Sequence, residues 1–177
     1  DEVAVCTVDT QPEWVVRLQP ISDRSALEDT ITHLKQGGGG IYCNTAVEAA
    51  LAELEKATAQ MKHVILFADA ADAEEHGGVE RMVRDAFSDG TTTTVVAIGR
   101  ESDSDAAWLK SVAEIGGGRF YITDDPFDLP RIFSEETITA AKSVIVEKEF
   151  VPVITRDAQF LAGVPWDQTP PLLGWVS

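Results

Sequence analysis

Short apolar runs alternate with helix-spaced apolar positions along most of this chain. Residues 3–8 (VAVCTV) are apolar and β-branched, and 14–18 (WVVRL) repeat that character after a turn at 9–12. Two such runs with a short connection predict a hairpin, which Pro20 ends. Ser22 and Asp23 are N-cap residues, and Leu27, Ile31 and Leu34 follow at i, i+4, i+7; the pattern predicts a helix that stops at the four glycines 37–40. Asn44 or Thr45 is expected to cap a second helix with Val47, Ala50, Leu51 and Leu54 on its apolar face. Val79, Met82, Val83 and Ala86 mark a third helix, which ends near Asp89 and Gly90. Residues 91–98 (TTTTVVAI) are a strand by β-branching. Residues 102–105 are expected to cap a helix carrying Ala106, Leu109, Val112 and Ala113, which glycines 116–118 end. A strand at 119–122, a turn at 124–126 and a helix from 128 to 141 complete the series. Alternating strands and helices predict an α/β fold, a doubly wound and mostly parallel sheet with helices on both faces.

The stretch 62–75, KHVILFADAADAEE, is the centre of this pattern. Its unbroken apolar segment 64–67 predicts a strand buried on both faces. The run stops at Asp69, and Asp72, Glu74 and Glu75 follow. In an open parallel sheet ligands bind just beyond the carboxyl ends of the strands, so Asp69 is a candidate binding residue; the plainer reading is that it caps the next turn. The four glycines are not a phosphate loop, because no Lys-Ser or Lys-Thr follows them.

Beyond residue 142 the periodicity disappears. Residues 143–150 read as extended, and Pro152, Pro165, Pro170 and Pro171 follow with Trp166 and Trp175 interleaved. The division expected is 1–142 for the α/β domain and 143–177 for an extended tail towards a following domain. The chain opens in Asp1-Glu2 without a Met and is expected to be an excised piece of a longer protein. No apolar run reaches the roughly 18 residues of a membrane helix.

The formal net charge of −16 argues against nucleic acid and anionic membrane surfaces, which attract basic patches. Cys6 and Cys43 are the only thiols and belong to no metal-ligand or CxxC pattern, which leaves a disulfide and two buried thiols both open.

Six segments in order, DEVAVCTVDT, WVVRLQPISDRSALEDTITHLKQGGGG, TAVEAALAELEKA, KHVILFADA, VVAIG and AEIGGGRFYITDDPFDLPRIFSEE, resemble a von Willebrand factor type A domain from Asp1 to about Thr139. The tail, ending in LLGWVS, resembles the connector of bacterial membrane-anchored proteins in which such a domain precedes a glutamine-amidotransferase-like domain. The resemblance implies adhesion or assembly, through a metal-ion-dependent adhesion site whose hard cation, usually Mg²⁺, takes oxygen ligands. The family draws them from a DxSxS loop after the first strand, a Thr after the glycine loop and an Asp after the fourth strand. Of these only Asp69 has a counterpart here. No DxSxS segment is present, Asp1 falling where the family's second strand begins. Ile41 stands where the Thr is expected, and Ala68 precedes Asp69 where the family often has Thr or Ser. Asn44 and Thr45 are oxygen donors a few residues too late. The site is therefore expected to be degenerate, with no cofactor and Mg²⁺ binding weak or absent.

The leading expectation is a non-enzymatic interaction module of a larger, membrane-anchored bacterial protein. A protein partner would meet the loops 9–13, 37–44 and 69–75, through Asp9, Gly40, Ile41, Tyr42, Asn44, Thr45, Asp69, Asp72 and Glu74. Ile41 and Tyr42 are expected to face inward, with Tyr42 over Asp69 or the strand end. The alternative is a regulatory or scaffold domain of an enzyme-containing parent, with no ligand of its own. An enzyme needs a nucleophile, a base and an orienting acid; His33, His63 and His76 are scattered, no GxSxG elbow is present, and Asp69 with Glu74 is marked by nothing beyond acidity. Finally, the family's first strand would sit between segments 3–8 and 64–67. Either those two pair directly or something fills the gap, segment 143–150 or a second copy of the chain. A homo-oligomer by strand or tail exchange is expected for the isolated piece.

Overall fold

The computed structural model describes residues 2–33, 41–59, 61–142, 145–146, 151, 171 and 175–176. The glycines 37–40, and with them the predicted glycine loop and Gly40, lie outside the described residues, as do most of 143–150 and Pro152, Pro165, Trp166 and Pro170. The chain divides into two units, Asp1–Phe133 and Ser134–Ser177.

In the first unit β1 (Glu2–Val8) and β2 (Pro12–Pro20) form the predicted antiparallel hairpin. The register slips twice, between Val3 and Val5 and between Val5 and Cys6. β2 thereby accommodates nine residues against seven, and such bulges increase the local twist. Helix α1 (Arg24–Thr32) follows, capped by Asp23, whose Oδ1 accepts from Ala26 N at 3.0 Å.

A two-residue strand β3 (Ile41–Tyr42) leads into α2 (Cys43–Leu54) and pairs in parallel with β5 (Ala73–Glu74). Strands β4 (Lys62–Asp69), β6 (Thr91–Ile98) and β7 (Gly117–Thr123) make a parallel sheet in the order β4-β6-β7. Helices α3 (Val79–Ser88) and α4 (Ala106–Ile115) are the crossovers between them. After β7 a 3₁₀ turn, Pro126–Asp128, opens into α5 (Leu129–Lys142). Beyond the first unit, β8 (Ile145–Val146) pairs antiparallel with β9 (Trp175–Val176).

The main core lies on one face of the sheet. Leu66 and Ala68 of β4 and Val95 and Ala97 of β6 pack with Val47 of α2, Val79 and Val83 of α3, and Leu109, Val112 and Ala113 of α4. On the opposite face Val96 is buried, but Phe67 keeps 42% and Ile98 41% of its surface exposed. The sequence reading of segment 64–67 as buried on both faces is therefore corrected. Among the described residues β4 is an edge strand, paired through all eight residues with β6 and with nothing on its other side. β1 and β4 belong to separate ladders, so direct pairing does not close the gap; of the segment 143–150 only Ile145–Val146 is described, paired with Trp175–Val176.

Glu53 clips the hairpin to α2. Its Oε1 accepts from the backbone N of Leu18 at 3.2 Å; Oε2 accepts from Arg17 Nη1 at 3.2 Å and Lys56 Nζ at 2.6 Å. The Lys56 ammonium holds the Glu53 carboxyl below its ordinary range, against the opposing effect of burial. A carboxyl whose folded pKa is lowered stabilises the fold above its unfolded pKa of about 4.3, and that contribution is lost as pH falls through the folded value. Thermal melts are expected to show Glu53→Gln less stable than wild type at pH 6, with the gap shrinking at pH values below about 4. A gap that stays constant with pH contradicts this.

Candidate functional site

Because β4, β6 and β7 are parallel, their carboxyl ends fall at one end of the sheet. The β4–β5 loop, the β6–α4 loop and the turn after β7 meet there. Ala70 N donates to Ile98 O at 2.9 Å, Asp105 N to Ala70 O at 2.8 Å, and Gly99 N to Thr123 O at 2.8 Å. The Arg100–Asp124 ion pair, 3.1 Å, joins the last two loops.

Three carboxylates of this end, those of Asp69, Asp103 and Asp105, are turned to its own backbone. Asp69 Oδ1 accepts from Ala71 N at 2.8 Å, which is the plainer turn-capping reading of that residue. Asp103 Oδ2 accepts from Arg100 N at 2.8 Å. Asp105 Oδ2 accepts from Ala73 N at 3.1 Å and Ser104 Oγ at 3.2 Å, and Ser104 Oγ also lies 3.1 Å from Ala71 O. His76 stacks on Trp108 with ring centroids 3.8 Å apart; its Nε2 lies 2.7 Å from Ala73 O and 3.4 Å from Asp105 Oδ1. Asp105 thus fixes the β4–β5 loop from the start of α4.

The start of α2 belongs to the same assembly. Neither Asn44 nor Thr45 is its N-cap: the cap position is Tyr42, without a side-chain hydrogen bond, and both residues lie inside the first turn. The orphan N–H of Thr45 is satisfied from outside by Glu75, whose Oε2 accepts from Thr45 N at 3.3 Å and from Thr45 Oγ1 at 2.8 Å. A carboxylate at a helix N-terminus is favoured by the helix dipole. To reach it Glu75 takes φ of +57°, a left-handed conformation that costs a non-glycine residue about 1–2 kcal/mol. Asn44 Nδ2 donates to Gly77 O.

Of the remaining candidates, Ile41 packs against the core, Tyr42 is half-buried and aligned with Glu74 between β3 and β5, and Asp72 is exposed. Asp9 is half-buried in the hairpin turn. Asp105, Glu75, His76 and Ser104 escaped the sequence reading as site residues. The sequence signal for Ser104 and Asp105 is the run Ser102–Asp105, which reads equally well as an ordinary helix start; Glu75 and His76 stand in or next to the acidic stretch 69–75 with nothing to set them apart.

Among the described residues no group of three or more His, Cys, Asp or Glu side chains stands close enough to hold a metal ion. Asp69 spends one oxygen on Ala71 N, and the position where the family supplies a Thr carries the inward Ile41.

Both thiols are free. Cys43 is fully buried, and burial together with the carboxylates of Asp105 and Glu75 pushes its pKa up to about 11. Burial also raises that of the half-buried Cys6. A thiol held protonated and out of solvent reacts slowly with electrophiles at neutral pH. A maleimide reagent at pH 7.5 is expected to modify Cys6 alone in the folded chain, Cys43 reacting only in denaturant; equal labelling of both contradicts the placement.

An open parallel sheet with packed crossover helices and a self-braced cluster of loops at the strand ends defines an α/β domain of the doubly wound class. The model of the von Willebrand factor type A domain matches residues 1–135, and the chain belongs to that family, whose domains generally serve protein interaction. Solved structures share the fold. BatB, a conserved hypothetical protein from Bacteroides thetaiotaomicron, gives a TM-score of 0.64 at 15% identity, over 80% of this chain and 80% of that one. An aerotolerance-related membrane protein from Bacteroides fragilis gives 0.61 at 13% identity, over 78% of this chain and 80% of its own. A von Willebrand factor type A protein from Catenulispora acidiphila gives 0.65 at 21%, over 84% of this chain and 35% of its own. At these identities the likeness is one of fold. No curated protein matches the chain. Among the described residues no helix is long and apolar enough to cross a membrane.

Proposed function

We propose that this domain is a non-enzymatic protein-interaction module whose loops at the strand ends meet a protein partner without a metal ion, its adhesion site being degenerate. The observation that carries this reading is the commitment of Asp69, Asp103, Asp105 and Glu75 to neighbouring backbone N–H groups. The loop end is held by its own hydrogen bonds, where a metal-dependent site needs several oxygens converging on one point. The full burial of Cys43 supports a role without thiol chemistry. A bacterial parent fits both Bacteroides structures, and a membrane-anchored one fits the description of the aerotolerance-related membrane protein; residues 143–177 would lead to its next domain.

A photo-crosslinking residue placed at Asp72 or Glu13 of the full-length protein, in the cells that make it, is expected to yield an adduct with one discrete protein. The same residue at Arg84, exposed on α3, is expected to yield none. Equal capture from all three positions, or none from any, contradicts the proposal.

The isolated chain, we further propose, self-associates through β4. That strand leaves one edge without a strand partner among the described residues and carries the half-open Phe67, and an apolar edge recruits other chains. Light scattering at micromolar concentration is expected to report a dimer or larger species; a stable monomer contradicts it.

A further inference from the structure

We propose that Phe127 is an anchor that inserts into an apolar pocket, rimmed by lysine or arginine, on the partner protein. The proposal rests on the interaction reading above and extends its surface to the turn after β7. Phe127 is 89% exposed, well beyond the other exposed large apolar side chains among the described residues, which keep between 41% and 59%. A scattered surface phenylalanine needs no explanation, but this one is displayed on a turn whose backbone is fixed on both sides of it. The buried Thr123 accepts from Asp125 N at 3.0 Å through its hydroxyl, which also lies 3.0 Å from Asp128 Oδ2. Asp125 Oδ1 accepts from the N of Phe127 itself at 2.9 Å, and Asp128 N donates to Asp125 O at 3.1 Å. The ring is therefore presented from a pre-ordered backbone, and less entropy is lost on binding than from a loose loop. An aromatic side chain with two rotatable angles gives a large contact area for little ordering, which is why such residues anchor interfaces.

Charge sets the chemistry of the partner. Asp124, Asp125 and Asp128 lie within three residues of Phe127 in sequence; Arg100 pairs with Asp124 and Arg131 with Asp128, so three carboxylates stand against two guanidinium groups and the turn keeps a net negative charge. This acidic collar on a chain of net charge −16 repels nucleic acid and anionic bilayers and complements a basic rim. The turn is also continuous with the loop end proposed to bind. Gly99 N donates to Thr123 O, and Arg100 joins Asp124 to the loop braced by Asp103.

The test places p-benzoylphenylalanine at position 127 of the full-length protein in its own cells and identifies the adduct. The captured protein is then purified and titrated against wild type, Phe127→Ala and Phe127→Trp. The expected result is one discrete heterologous protein, bound at least tenfold more weakly by Phe127→Ala at an unchanged Tm. Phe127→Trp is expected to retain most of the affinity, and wild-type affinity to fall as salt is raised. Binding that Phe127→Ala leaves intact overturns the proposal. So do adducts confined to lipid or to a second copy of the chain. If position 72 captures a partner and Phe127→Ala binds it as wild type does, this inference fails and the interaction reading stands. If neither position captures a protein, both fail.

Discussion

Gly118→Ala is expected to destabilise the domain by about 3 kcal/mol or more, as overpacking against an immobile wall does. A methyl group on this residue would stand 2.2 Å from the carbonyl oxygen of Thr93, 2.5 Å from its carbonyl carbon and 2.7 Å from the nitrogen of Thr94. These are backbone atoms of β6, the middle strand of the three, and Thr93 and Thr94 are fully buried. No side chain can swing aside to make room. The close approach comes from a bulge: the ladder runs Thr93 to Gly117 and then Val95 to Phe120, so Gly118 and Arg119 together oppose Thr94. Gly117 adds a φ of +66° next to it, a conformation glycine adopts at no steric cost. Guanidinium unfolding of the variant is expected to show the loss, with a fall in Tm on the order of 10 °C. Gly77→Ala, where nothing lies within 4 Å of an added methyl, is the matched control and is expected to stay within about 0.5 kcal/mol of wild type.

Leu109→Ala comes next in size, at about 3 kcal/mol, within the range for fully buried leucines. Leu109 has no exposed surface and lies in the core with Val83 of α3 and Val95 and Ala97 of β6. It belongs to the face of the sheet that three helices cover, where the surroundings are least able to collapse into a void. Phe67→Ala, on the half-open face, is expected to cost far less despite the larger side chain removed. Equal losses at the two positions would mean that the two faces are equally covered.

The pair of faces also shows where the sequence was informative. Runs such as TTTTVVAI and helix-spaced sets such as Ala106, Leu109, Val112 and Ala113 produced strand β6 and helix α4 where expected, because β-branching and a 3.6-residue period are local properties. Strand β4 was legible as a strand but not as an edge, since an apolar run looks alike whether or not a neighbour covers it. β3 and β5 escaped because two residues carry no period. The site was legible in outline only. Asp69 announced itself at a strand end, and its turn-capping bond to Ala71 is the local event that a carboxylate at such a place predicts. Glu75 caps α2 from thirty positions downstream, and Asp105 grips Ala73 from thirty-two, so no local pattern could reveal either. Asn44 and Thr45 looked like N-caps by residue type and were displaced by that distant carboxylate.

The central claim is that the loop end is braced by its own carboxylates and acts without a metal ion. Calorimetric titration of Mg²⁺, and separately of Ca²⁺, into the 177-residue chain tests it most directly. The expected result is no saturable binding tighter than millimolar, with Asp69→Asn indistinguishable from wild type, because a hard cation needs several oxygens to replace its waters. Micromolar binding of either ion, abolished by Asp69→Asn, would contradict it.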